Sequence, residues 1–137
     1  MSDELLADPQ EQVLANQLAL IDQYRADFDA VTEQRQQVIN NFNTQVTAIE
    51  NDPTLSKEEQ NQKIIALRES AKTDIKAYAT KATEIFLAVY KIPASSTDAF
   101  PQQNSLLKRI NVFTAQAKAD SERQDVKIAA LKQAGTA

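Results

Sequence analysis

Glycine is nearly absent from this chain: among 137 residues there is one, Gly135, close to the C-terminal end. At average usage a chain of this length would contain about nine or ten glycines. Glycine supplies the positive φ angles that tight turns, β-bulges and phosphate-binding loops require. Folds that need many such turns, including β-sandwiches and α/β folds, are therefore strongly disfavoured. Glycine-rich phosphate loops are disfavoured for the same reason.

The four prolines leave three long segments that contain no proline, residues 10–52, 54–92 and 102–137. Ala, Gln, Leu, Lys and Glu dominate these segments, and all five have high helix propensity. With 42% hydrophobic residues, the chain can also bury a core. We predict an all-α fold that forms a single domain over residues 1–137. Two long helices form an elongated antiparallel hairpin, and a third packs against it as in a three-helix bundle or coiled coil.

Helix 1 is predicted from about 9 to 50. Asp8 followed by Pro9 is typical of an N-cap and a first helical position. The apolar residues recur at helical spacing, and several share one seven-residue grid that only Arg35 interrupts. Such a stripe is expected to pack against other helices. The grid positions are Leu14, Ile21, Phe28, Phe42 and Ile49.

Two further helices are predicted from their end signals. Ser56 and Glu59 have capping-box spacing, so helix 2 is expected from about 57 to 91. Pro93 then ends it, because the residue before a proline avoids the α region. Helix 3 is expected from about 104 to 133. Its start is placed near Pro101 or Asn104.

Six aromatic side chains fall on the predicted inner stripes, and the antiparallel hairpin brings several of them to similar levels. At helical spacing such residues usually form a core. The alternative is an apolar groove that opens to accept a lipid or a partner helix. The six are Tyr24, Phe28, Phe42, Tyr78, Phe86 and Phe113.

Arg35 interrupts the apolar stripe of helix 1. The predicted pairing of the helices puts it level with Glu69, Asp74 and Asp120. One interpretation is a buried polar layer that fixes the register of the bundle. The other is an arginine that snorkels to solvent along apolar surface.

The chain contains no Cys and no His. It therefore has no disulfide, no zinc site of the usual Cys/His type, no thiol nucleophile and no imidazole base. The acidic pairs Glu58-Glu59 and Asp27/Asp29 could contact a hard cation, but helix-end charge and a solvated face explain them better. A Ser121–Lys118 pair would need a desolvated lysine and an oxyanion hole, which nothing in the sequence indicates. We expect no catalysis, no cofactor and no metal.

Charge is distributed unevenly along the chain. Residues 1–52 hold ten acidic and two basic side chains, whereas 53–93 and 94–137 each carry two more bases than acids. The acidic pI of about 4.8 disfavours nucleic-acid binding, and Lys108-Arg109 is the largest basic pair. An acidic first helix is expected to favour packing against the two mildly basic ones.

The sequence shows neither a signal peptide nor an apolar run of about 20 residues, so we expect no membrane-spanning segment. A cytoplasmic location is favoured on this ground, with a periplasmic, secreted or virion location left open. Peripheral lipid contact through amphipathic helices also stays open.

Residues 51–60 read Asn-Asp-Pro-Thr-Leu-Ser-Lys-Glu-Glu-Gln, and Ile64, Ile65, Leu67 and Arg68 follow. This segment resembles hairpin connections in bacterial helical chaperones, namely the lipase-specific foldases and the Spy/CpxP-like periplasmic proteins. The latter carry two copies of L-T-x-x-Q, whereas this chain has one copy spaced L-S-x-x-x-Q. The resemblance covers the connection alone, and its physical content is a proline stop followed by a capping box, as in a helical hairpin.

These observations lead to three functional hypotheses. The favoured one is a non-catalytic structural or interaction protein, such as an adaptor, assembly, secretion or virion component. It would bind protein partners through its helical faces, with self-association expected and a homodimer favoured. The second is a helical chaperone or sequestering protein for unfolded or apolar segments. The third is an amphipathic protein that binds lipid or granule surfaces.

Overall fold

The computed structural model describes residues 9–94 and 96–136 of the chain. Within this part there are three helices, α1 (Pro9–Glu50), α2 (Lys57–Tyr90) and α3 (Ala99–Thr136), and no strand. Each helix packs against the other two, and α3 contacts α2 more extensively than α1. The predicted all-α arrangement is confirmed. The 42 residues of α1 span roughly 60 Å at 1.5 Å per residue, so the bundle is long and thin.

The connection between α1 and α2 is closed by side-chain hydrogen bonds. Asp52 Oδ1 accepts from the backbone N–H of Thr54 at 2.9 Å and from the Thr54 hydroxyl at 2.6 Å. Ser56 Oγ then accepts from the backbone N–H of Glu59 at 3.1 Å, which is the N-cap that the sequence predicts. Because the connection is short and capped, α2 returns antiparallel to α1.

Asp52 gives this turn a pH dependence. The hydroxyl hydrogen bond from Thr54, followed by the backbone one, holds the pKa of Asp52 below its ordinary value of 3.8. Folding therefore favours the carboxylate. The contribution of this carboxylate to stability is complete above the pKa that Asp52 has in the unfolded chain. It is lost as the pH falls through the lower pKa that Asp52 has in the folded chain.

We therefore expect the difference in melting temperature between the wild type and Asp52→Asn to be constant above about pH 5 and to shrink below about pH 4. Thermal melts by circular dichroism across this range measure it. Thr54→Val removes the hydroxyl hydrogen bond, which has the larger effect on the pKa of Asp52. Acidification from about pH 5 should therefore lower the melting temperature of this variant less than that of the wild type. A difference that stays constant down to pH 2, or about two units below the ordinary value, would contradict this assignment.

The third helix begins at Ala99, earlier than the predicted start near Pro101 or Asn104. Ser96 Oγ accepts from the backbone N–H of Ala99 at 2.9 Å and caps the helix. Pro101 then lies in the first turn, where the missing N–H of proline costs no intrahelical hydrogen bond. The helix can therefore begin two residues before the proline.

A buried glutamine joins the end of α2 to the start of α3. Gln103 Nε2 donates to the carbonyl oxygens of Val89 at 2.8 Å and Ile92 at 2.7 Å. Carbonyls at a helix C-terminus lack partners within the helix, so these bonds satisfy groups that would otherwise be buried unpaired. Gln17 Nε2 donates to the Pro93 carbonyl at 2.9 Å and ties α1 to the same connection.

The two ends of the bundle differ in packing. We call the end next to residues 51–56 the turn end, and the opposite end, where α1 and α3 begin and α2 ends, the far end. The main core cluster lies towards the far end and takes residues from all three helices. Towards the turn end, the apolar stripe of α1 is half-buried at Ile39, Phe42, Val46 and Ile49. The buried members of the core cluster include Ile21, Phe28, Val31, Ala82, Val89, Leu106, Ile110 and Phe113.

Candidate partner-binding surfaces

Five of the six predicted aromatic residues lie together. Phe28 and Phe113 are buried in the core, with ring centroids 5.4 Å apart in an edge-to-face arrangement. Half-buried Tyr24, Tyr78 and Phe86 pack against the same cluster. The sixth, Phe42, is half-buried towards the turn end, outside this cluster.

Three arginines stack on phenylalanine rings of the inner stripes. The guanidinium carbons of Arg35, Arg109 and Arg68 lie 5.6 Å, 5.3 Å and 5.2 Å from the ring centroids of Phe113, Phe28 and Phe42, respectively. At such distances the cation is attracted to the ring face. Sequence reasoning identified Arg35 alone, because it interrupts the grid. Arg68 and Arg109 carried no comparable signal.

Arg35 and Asp120, two members of the predicted polar layer, form an ion pair that joins α1 to α3. The side chains are 15% and 22% exposed, so most of the pair is withdrawn from water. Asp120 also accepts a hydrogen bond from Arg123, one turn further along α3. The Nε atom of Arg35 is buried without a partner.

Glu69 and Asp74 lie outside this pair. Glu69 binds Lys132 at 3.3 Å on the exposed α2–α3 flank, and Asp74 is exposed on the groove between α2 and α1. Five residues on one helix are separated by about 140° around its axis, so both side chains cannot face Arg35. The four-residue layer that we predicted is therefore reduced to Arg35 and Asp120.

The polar middle of α3 also meets α2. Arg68 Nη1 donates to Gln124 Oε1 at 2.8 Å, and Lys72 forms an ion pair with Asp125. Burial lowers the pKa of Arg68, and the charge of Glu50 opposes that shift. Polar side chains of this part of α3 therefore bind both α1 and α2.

Two openings follow the seam between α1 and α3. Nearer the far end, a groove of about 640 Å³ has Phe28 and Phe113 at its base and Lys108 and Arg109 in its lining. Towards the turn end, all three helices line a smaller recess of about 400 Å³, which we call the turn-end recess. Its lining includes Ile39, Phe42, Arg68, Ile75, Asp120 and Lys127.

The far end also carries most of the exposed large apolar side chains of the described part of the chain. Five of the seven lie there, and the other two, Val112 and Val126, lie further along α3. Tyr90 is 68% exposed, and its ring stacks on that of half-buried Phe86 with the centroids 6.3 Å apart. The five are Val13, Leu20, Leu87, Tyr90 and Phe100.

Within residues 9–94 and 96–136, no group of three or more acidic side chains is placed to hold a metal ion. None of the three helices in that part of the chain combines the length and hydropathy that crossing a membrane requires. In comparisons with known proteins, no family model, no curated protein and no solved structure matches this chain.

Proposed function

We propose that this chain is a non-catalytic helical interaction protein that forms a homodimer through its far end. The observation that carries the proposal is the concentration of exposed apolar side chains there. Single exposed apolar residues are common on soluble proteins, but a concentration of them is typical of interaction sites. Aromatic side chains such as Tyr90 and Phe100 are the types enriched at interface centres.

The thin shape of the bundle supports self-association. The accessible surface is 9150 Å², against roughly 7,100 Å² for a compact monomer of this mass. The excess exceeds the roughly 800 Å² that each partner buries in a standard interface. The bundle therefore has enough surplus surface to supply an interface of standard size.

The composition supports a non-catalytic role. Cys and His, which supply many nucleophiles and general bases near neutral pH, do not occur in the sequence. Several acidic side chains near the helix seams form ion pairs with Arg or Lys, such as Asp29 with Arg109 at 2.8 Å. Acids held in this way stabilise contacts between helices.

Light scattering after size exclusion should give a mass close to twice 15.2 kDa. We expect the double variant Leu87→Lys/Tyr90→Lys to elute as a monomer, because two charges would have to be buried in the interface. Both side chains are exposed in the single chain, so the helical content of the variant should be unchanged.

The matched control is Val126→Lys. Val126 is also an exposed apolar residue of a long helix, at 70%, but it lies away from the far end. This variant should remain a dimer. A monomeric wild type at about 100 μM, well above the Kd of a specific micromolar dimer, would overturn the proposal. Equal dissociation of both variants would overturn the assignment to the far end.

A chaperone-like role is the second candidate, and the stacked Phe86–Tyr90 pair favours it. An exposed ring such as that of Tyr90, stacked on half-buried Phe86 at a helix end, can also hold an extended apolar segment of another protein. In that case the chain would be a folded monomer that slows the aggregation of an unfolded client. The Leu87→Lys/Tyr90→Lys variant would then lose this effect without any change of mass.

A further inference from the structure

One of the three arginines stacked on phenylalanine differs from the other two. Arg35 and Arg109 each bind a carboxylate, Asp120 and Asp29. Arg68 has the same stacking, on Phe42, but its hydrogen-bond partner is the neutral amide of Gln124. Among the described residues, no carboxylate lies within ion-pair distance of it. A partly buried cation without a counter-ion is unfavourable, so Arg68 is a place where an external carboxylate would be stabilised.

The surroundings of Arg68 combine this cation with apolar walls. It lines the turn-end recess, whose other lining includes Ile39, Phe42 and Ile75. Lys127 adds a second positive charge to the lining. The acid of the recess, Asp120, is already bound by Arg35 and Arg123. The arrangement therefore offers positive charge beside apolar surface.

Glu50 is the acidic side chain that opposes this assignment. It is exposed at the end of α1 and acts on Arg68 through space, without an ion pair. It belongs to the neighbouring groove, which shares Arg68 and Lys127 with the recess. Because Glu50 is solvated, its charge is screened from the recess more strongly than that of a ligand in direct contact.

We propose that the turn-end recess binds a free fatty acid of medium chain length, with the carboxylate on Arg68 and Lys127 and the hydrocarbon chain against Ile39, Phe42 and Ile75. Arginine binds carboxylates through two parallel N–H donors, which suits this head group. The apolar walls would remove the hydrocarbon chain from water.

The size of the recess favours such a ligand over a partner helix. Its volume of about 400 Å³ lies within the range of small-molecule sites, roughly 300–1,000 Å³. A helix is about 10–12 Å wide, so a few turns of one would need considerably more space. Three helices line the recess, whereas the larger groove near the far end is lined by α1 and α3 alone.

Titration calorimetry with dodecanoate, below its micellar concentration, tests the proposal on the whole chain. We expect saturable binding of one dodecanoate per chain and no saturable binding of dodecyltrimethylammonium, which has the same hydrocarbon chain and the opposite charge. Dodecanol should bind at least about tenfold more weakly than dodecanoate, since it lacks the charged head group.

Arg68→Gln should weaken dodecanoate binding by about tenfold to a hundredfold, the usual effect of losing a charge-assisted hydrogen bond. Arg109→Gln is the matched control, because it removes an equivalent arginine–phenylalanine stack away from the recess. It should leave the affinity unchanged. Circular dichroism of both variants checks that the fold persists.

A second variant keeps the test independent of the stability of Arg68→Gln. Asn43 is exposed and lines the recess, so Asn43→Trp should fill it and abolish binding without disturbing the core. Asn40→Trp places the same ring one turn away on α1 and should bind dodecanoate normally. Equal binding by all variants, equal affinity for dodecanol, or binding of an acidic amphipathic peptide in place of dodecanoate would overturn the proposal.

Discussion

Replacing Phe28 with alanine is expected to lower the free energy of unfolding by about 3–5 kcal/mol. Phe28 is 2% exposed and lies in the core cluster to which all three helices contribute. Its ring contacts the edge or face of Phe113 and also supports the guanidinium of Arg109. The substitution therefore removes buried apolar surface, an aromatic pair and a cation–ring contact, and it leaves a cavity.

The measurement is urea denaturation followed by far-UV circular dichroism. Since domains are stable by about 5–15 kcal/mol in total, a loss of this size should move the unfolding midpoint of Phe28→Ala to a clearly lower urea concentration. The matched control is Phe42→Ala, which removes the same side chain from the same helix. Phe42 is half-buried, so we expect a loss of about 1–2 kcal/mol.

The comparison of these two variants tests where the stability of the bundle lies. A larger loss of unfolding free energy for Phe28→Ala would mean that most of the stability comes from the far-end core. Equal losses would mean that the half-buried stripe of the turn end is covered in solution, for example by a second copy. Measuring both variants at two protein concentrations separates these cases, because a covered interface makes the loss concentration-dependent.

The three-helix fold could be predicted from the sequence because its determinants are local. The scarcity of glycine strongly disfavours folds with many tight turns, and Pro53 and Pro93 mark the connections between the helices. Ser56 caps α2 as its spacing to Glu59 indicates. The start of α3 at Ala99 precedes the predicted start near Pro101 or Asn104, since a proline fits within a first turn.

The contacts that define the candidate surfaces could not be predicted in the same way. Whether Arg68 stacks on Phe42 depends on the rotation of α1 and α2 about their axes, and a one-residue change rotates a side chain by about 100°. The same uncertainty explains why Asp120 was placed correctly at Arg35 while Glu69 and Asp74 were not. Levels along a bundle follow from helix lengths, but orientations around each helix require the packed structure.

Truncating Asp120 to alanine is the second substitution expected to have a large effect, about 2–4 kcal/mol. Arg35, which lies over Phe113, would lose its counter-ion, while its Nε atom is already buried without a partner. A cation in this setting must either stay uncompensated or leave the core contact. Thermal and urea melts of the variant measure the cost.

The matched control is Asp29→Ala, which removes the carboxylate from the other α1–α3 ion pair, with Arg109. The side chains of that pair are 47% and 56% exposed, so its loss should cost no more than about 1 kcal/mol. Both aspartates lie inside helices, and the change in helix propensity is therefore the same. A cost at Asp120 as small as that at Asp29 would contradict the burial argument.

Arg35→Leu, alone and combined with Asp120→Leu, then distinguishes the two interpretations of the polar pair. If the pair fixes the register, the double variant should be as stable as the wild type, within about 1 kcal/mol, but should populate more than one oligomeric state. If Arg35 is an arginine that merely shields apolar surface, the single variant should keep both its melting temperature and its mass. Light scattering and thermal melts on the same samples decide between these outcomes. An apolar pair can supply as much stability as the ion pair. It can pack against any apolar neighbour, however, whereas Arg35 requires a carboxylate at one level of the bundle.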